Sequence, residues 1–221
     1  RINGVGGSRA VKNGISILKE TCAEGDYYAC SVLGYRYFTG DEIETNEFKA
    51  YMLLNYACNN GEFGACRFVA AFHEYGIGVE HDLDKIRYLY SKSCDNADAV
   101  SCQKLGAILI SSGNEKDVAE AVTVFSNGCK FGSVRSCNDL GDLYFEGKSV
   151  EKDPKNAFKL YKMACDGNDV KGCINLAYGY SEGIGVEKST NADKTIYTKA
   201  CDLGSYEACS IVSLKQSKPK K

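Results

Sequence analysis

Cys137-Asn138-Asp139-Leu140-Gly141-Asp142-Leu143-Tyr144-Phe145-Glu146-Gly147 is the stretch whose reading decides the fold. Leu140, Leu143 and Tyr144 stand at i, i+3 and i+4, which is one face of a helix. Gly147 supplies the stop, because glycine reaches the left-handed conformation in which helices end. The same frame recurs along the chain. A glycine stands at the same distance after a cysteine at Gly40, Gly76 and Gly183, and the apolar slots hold Leu33, Arg36 and Tyr37 in one copy and Leu176, Gly179 and Tyr180 in another. A small residue follows the first slot each time: Gly34, Ala70, Gly106, Gly141 and Ala177. Glycine costs helix stability, so small residues in register predict two helices in close approach.

The cysteines keep the same beat. All 12 fall in C-x7-C pairs: Cys22/Cys30, Cys58/Cys66, Cys94/Cys102, Cys129/Cys137, Cys165/Cys173 and Cys201/Cys209. The pairs recur every 36 residues, with one step of 35 between Cys94 and Cys129. A fixed period of that size marks a repeat array rather than a domain with one central core. An even count at one spacing predicts one disulfide per repeat, and hence an oxidising compartment. Zinc is the rival use, but it needs four clustered ligands; these cysteines come in twos, with only His73 and His81 to help. A bridge closing so short a loop contributes about 2–2.5 kcal/mol in the chain-entropy model.

Each repeat reads as a helix pair. Asp153-Pro154 opens the second helix with a capping residue and a first-turn proline. Ala157, Leu160, Tyr161 and Ala164 form its apolar stripe, matched by Ala50, Leu53, Leu54 and Ala57 and by Ile86, Leu89, Tyr90 and Ser93. The expected class is all-α, a solenoid of antiparallel helix pairs over 1–221. Its divisions are a partial unit 1–25, repeats 26–61, 62–97, 98–132, 133–168 and 169–204, a capping helix 205–216 and a tail 217–221. Arg1–Gly6 aligns with His73–Gly78, so the opening residues are expected to be the end of an earlier helix and its loop. The repeat from Cys102 is one residue short and has Ser112 where the glycine stop belongs; Asp193 replaces an alanine.

The pattern Leu140-Gly141-x-x-Tyr144-x-x-Gly147, followed by Ala157-x-x-x-Tyr161-x-x-Ala164-Cys165-Asp166, resembles Sel1-like repeats. With a C-x7-C pair in every repeat, the chain is similar to the Helicobacter cysteine-rich proteins. The resemblance covers nearly all of residues 4–214. It implies a right-handed superhelix of helix pairs, secreted or periplasmic residence, and a role in interaction, sometimes with the host immune system. It also implies a penicillin-binding or weak β-lactamase activity as the alternative. Residence in the mitochondrial intermembrane space is a second option, since that compartment also oxidises paired cysteines.

A net charge of −2 offers no field for a nucleic-acid backbone, and no apolar run is long enough to span a membrane. The basic tail Lys218-Pro219-Lys220-Lys221 reads as a solvated end. No cofactor motif and no metal set is present in the sequence, and the expected state is a monomer. The expected partner is a protein or peptide in the groove lined by the first helices. Slots two, five and nine after each leading cysteine point there: Phe68 and Tyr75, then Lys104, then Asp139, Asp142 and Glu146, then Asn175, Tyr178 and Glu182. The early positions are aromatic and the late ones acidic, which suits a ligand with an apolar and a basic segment. Four S-x-x-K strings, beginning at Ser16, Ser101, Ser149 and Ser217, lack the companion elements of β-lactam enzymes, so no catalytic residue is assigned. His73 fills a core slot and reads as packing; His81, beside Asp82, reads as a loop residue.

Overall fold

The computed structural model describes residues 5–217. Gly4 and the basic tail Lys218–Lys221 lie outside the described residues. Twelve helices and no strand occur among the described residues. They are α1 (Val5–Ala23), α2 (Tyr27–Thr39), α3 (Glu47–Asn59), α4 (Phe63–Tyr75), α5 (Leu83–Cys94), α6 (Ala99–Ser111), α7 (Glu115–Lys130), α8 (Val134–Glu146), α9 (Pro154–Asp166), α10 (Val170–Glu182), α11 (Thr190–Asp202) and α12 (Tyr206–Ser217). The chain forms two compact units, the first ending at Ser101 and the second starting at Cys102.

Within each unit, successive helices pack as neighbours because each buries one apolar stripe. Leu33, Leu54, Val69, Phe72, Ile86 and Tyr90 are buried in the first unit; Leu140, Tyr161, Leu176, Tyr197 and Val212 are buried in the second. The small slot works as its register predicts. A Cβ at Gly34 would lie 2.8 Å from Leu54 Cγ, one at Gly106 2.3 Å from Phe125 Cε1, and one at Gly141 2.7 Å from Tyr161 Cε1. Each glycine therefore receives the large side chain that stands four residues before the first cysteine of the next pair.

The helix stops are those the spacing predicts. Gly40, Gly76, Gly147 and Gly183 all cap with φ between 65° and 77°. Asp153 accepts from the backbone N–H of Lys155 and Asn156, with Pro154 in the first turn of α9. Bridges join Cys22–Cys30, Cys58–Cys66, Cys129–Cys137, Cys165–Cys173 and Cys201–Cys209, with Cα atoms 4.4–4.8 Å apart. Cys94 and Cys102 are disulfide-bonded as well, and no cysteine is free among the described residues. A further tie repeats: the Lys92 ammonium donates to the Cys58 carbonyl at 3.1 Å, and that of Lys199 to the Cys165 carbonyl at 2.6 Å. In each case a cation sits on the carbonyl end of the helix two elements back, where the dipole favours it.

Three places differ from expectation or resolve it. Val5 and Gly6 are helical in α1, where alignment with Ile77-Gly78 predicts a loop. In the short repeat α6 ends in the usual slot, at Ser111, but the glycine of the stop is displaced by one residue: Gly113 takes the left-handed conformation at φ 67°. Asn114 then caps α7, so the missing residue comes out of the loop and leaves the cysteine frame intact. Asp193 is buried at 2% exposure in a slot that Ala50, Ala121 and Ala157 fill elsewhere, so this copy sets a carboxylate inside its core, and the backbone N–H of Asp193 bonds the Ser189 carbonyl.

Candidate functional site

In the second unit the expected acidic positions converge on a polar network. Asp142 on α8 is its hub. Asp142 Oδ1 accepts from the Tyr161 hydroxyl at 2.8 Å and from Asn175 Nδ2 at 3.1 Å, while Oδ2 accepts from Asn138 Nδ2 at 3.3 Å. Asn175 Nδ2 also donates to Asn138 Oδ1 at 2.9 Å, and Asn138 Nδ2 to Asp139 Oδ1 at 3.3 Å. Burial pushes the Asp142 carboxyl above the ordinary carboxylate range; the Tyr161 hydrogen bond opposes the shift, and the charges of Asp139 and Glu146 add to it. Burial likewise raises Asp139, against hydrogen bonds from Asn138 and Gln103. Tyr161 is raised too, by burial first and by the Asp142 charge next.

Beside this network lies a cavity of about 490 Å³. Asn138, Asp142 and Asn175 contribute its polar lining; Phe145, Phe158, Ile174 and Tyr178 its apolar lining. Glu146, Glu207 and Lys171 complete its charged residues. Gly179 also lines it, in a slot held by Arg36, Phe72, Ile108 and Leu143 in other copies. With no side chain at that slot the Phe158 ring packs close to the helix: a Cβ on Gly179 would lie 2.9 Å from Phe158 Cδ2. Glu146, Tyr178 and Glu182 are exposed, and Lys104 is half-buried on α6.

The first unit carries the aromatic positions. Tyr35 and Phe68 pack with ring centroids 5.1 Å apart, and the Arg67 guanidinium lies 4.7 Å over Phe68. Arg67 is held in turn by Asp98 at 3.0 Å. Tyr75 is 65% exposed at the end of α4. His73 is buried, with Nδ1 2.8 Å from the Glu80 carbonyl and Nε2 3.2 Å from the Tyr51 hydroxyl, which accounts for it as a packed side chain. His81 is exposed between α4 and α5.

Sequence reasoning missed Asn138, Tyr161 and Gly179 as site residues. Asn138 stands one residue after its cysteine, outside the slots assigned to the groove, yet it is 2% exposed and central to the network. Its signal was the i, i+4 spacing to Asp142. Of the serines followed by lysine, Ser101 is fully buried, Ser16 is exposed and donates to Glu20 at 3.1 Å, and Ser149 sits in an exposed loop at φ 54°. Ser217 ends α12, and Lys220 lies outside the described residues.

The model of the Sel1 repeat matches residues 28–62, 64–98, 134–169 and 170–205, more than half of the chain. The chain belongs to the Sel1 repeat family. The matched Sel1 repeats leave out 99–133, the stretch that contains the displaced stop. Among solved structures, a Sel1 repeat protein from Oxalobacter formigenes is similar at TM-score 0.82 and 23% identity, covering 92% of this chain and 85% of that one. This likeness establishes the fold alone. The cysteine rich protein B of Helicobacter pylori is 34% identical over 59% of this chain and 95% of its own, with TM-score 0.50. No curated protein sequence is significantly similar to the chain. Disulfides throughout its Sel1 repeats mark a protein of an oxidising, non-cytosolic environment, and no helix among the described residues is long and apolar enough to cross a membrane.

Proposed function

We propose that the chain is an exported scaffold that binds an extended polypeptide along the first helices of its repeats. The network of Asn138, Asp142 and Asn175 beside the cavity is the observation that carries this reading. Both amide hydrogens of Asn175 are used within the network, and its Oδ1 is left to accept from a ligand N–H. The acids Asp139, Asp142 and Glu146 favour a basic segment in the second unit. The exposed rings of Tyr35 and Tyr75, with Phe68, favour an apolar segment in the first. Protein–protein binding is the common work of Sel1 repeats, and the oxidised cysteines fit a secreted or periplasmic location.

Selection from a displayed random-peptide library tests the proposal. The expected result is saturable binding of peptides rich in basic residues, abolished by the triple replacement Asp139→Lys, Asp142→Lys and Glu146→Lys. Peptides that bind the triple variant as well as the parent would sink the assignment.

A further inference from the structure

The geometry points to a pocket for one basic side chain, arginine or lysine, at the Asp142 network of the second unit. This rests on the peptide-binding reading above and names what the cavity would take from the bound chain. At about 490 Å³ the cavity, open on one side, falls within the usual range for ligand-binding clefts. Its charged lining is three acids, Asp142, Glu146 and Glu207, against one base, Lys171, which is exposed and screened by water.

Asp142 is the deciding residue. An ionised carboxylate has about four lone-pair positions. Oδ1 fills two of them, with Tyr161 and Asn175; Oδ2 fills one, with Asn138 at 3.3 Å. One position on Oδ2 is therefore open. The donors Tyr161, Asn175 and Asn138 are all neutral, so none of them balances the half-buried charge. A ligand N–H carrying a positive charge meets both needs, since hydrogen bonds between ionised groups are the strong ones. The walls select the rest of the guest. Phe158, Ile174 and Tyr178 would cover the methylene shaft, and the ring faces attract a cation. A bare ion would exchange its water for these apolar walls, which is unfavourable. Gly179, in a slot that holds a large side chain in other copies, leaves room for the Phe158 ring that walls this pocket.

Capped alanine pentapeptides with arginine, lysine, norleucine or glutamate at the centre provide the test, titrated into the intact oxidised chain and followed by nitrogen–proton correlation spectra. The arginine and lysine peptides should shift the side-chain amides of Asn138 and Asn175 and bind about tenfold more tightly than norleucine. Asp142→Asn, with the fold checked by circular dichroism, should erase that preference. Tyr178→Ala, at a residue already 48% exposed and so safe for folding, should weaken the two basic peptides and leave the glutamate peptide unaffected. If norleucine shifts the same amides with equal affinity, or if Asp142→Asn keeps the preference, the basic pocket is wrong while peptide binding stands. If none of the four peptides shifts either amide, both readings fall.

Discussion

Gly141 joins helix packing to the chemistry of the site in a single contact. The Tyr161 ring lies where a Cβ would stand, and its hydroxyl reaches past the helix to Asp142 at 2.8 Å. Gly141→Ala should therefore cost about 1–3 kcal/mol from overpacking, measurable by urea unfolding, and should weaken peptide binding as Tyr161 leaves Asp142. An unchanged Asp142 environment in that variant would contradict the coupling. Asp142 carries a second prediction. Its folded pKa and that of Asp139 are raised, so the native state holds those protons more tightly than the unfolded chain does. Their contribution is fully present below the unfolded carboxyl value of about 3.9 and is lost as pH rises through the higher folded values. Asp142→Asn should then melt above the parent at neutral pH, by a margin that narrows in acid; a margin that widens in acid would refute it. The repeat frame made Asp142 and Asn175 legible, because a slot counted from a cysteine reports a helix face. Asn138 was less legible: its spacing to Asp142 marks it, but its bond from Asn175 comes from α10, which its own helix does not reveal.

At the scale of elements the turns are the informative part. The third residue after the first cysteine of each pair has positive φ, and it is Gly25, Gly61, Gly132 and Gly204 in four turns, Asn168 in a fifth and Ala97 in the sixth. Alanine at φ 67° is strained. Ala97→Gly should stabilise the chain by about 1 kcal/mol, seen as a higher urea midpoint; a lower one would show that the turn tolerates its side chain. The lysine ties make a parallel case. Lys199→Met keeps the stem but removes the cation from the Cys165 carbonyl, and a loss of about 0.5–1 kcal/mol is expected. Most helix ends could be read from glycine position alone. The end of α6 could not, because its glycine is displaced by one residue, and neither could the start of α1, where the aligned Gly6 sits within a helix rather than beyond one.

Within each unit, each helix touches chiefly its neighbours, so damage should stay local. Removing one bridge with Cys165→Ser and Cys173→Ser should cost about 2–2.5 kcal/mol and speed amide exchange in α8–α11, with exchange in α2–α4 unchanged. Uniform acceleration would mean one cooperative fold instead of two units. The bridges have one more consequence. The pairs Cys22–Cys30, Cys58–Cys66, Cys129–Cys137, Cys165–Cys173 and Cys201–Cys209 each close across a sequence separation of 8, so the correct mate of every such sulfur is also the first one it meets. A polypeptide that meets an oxidant from one end can thus fasten each turn before the next pair of thiols arrives. Maturation then calls for an oxidant and hardly any reshuffling catalyst, however many modules are strung together.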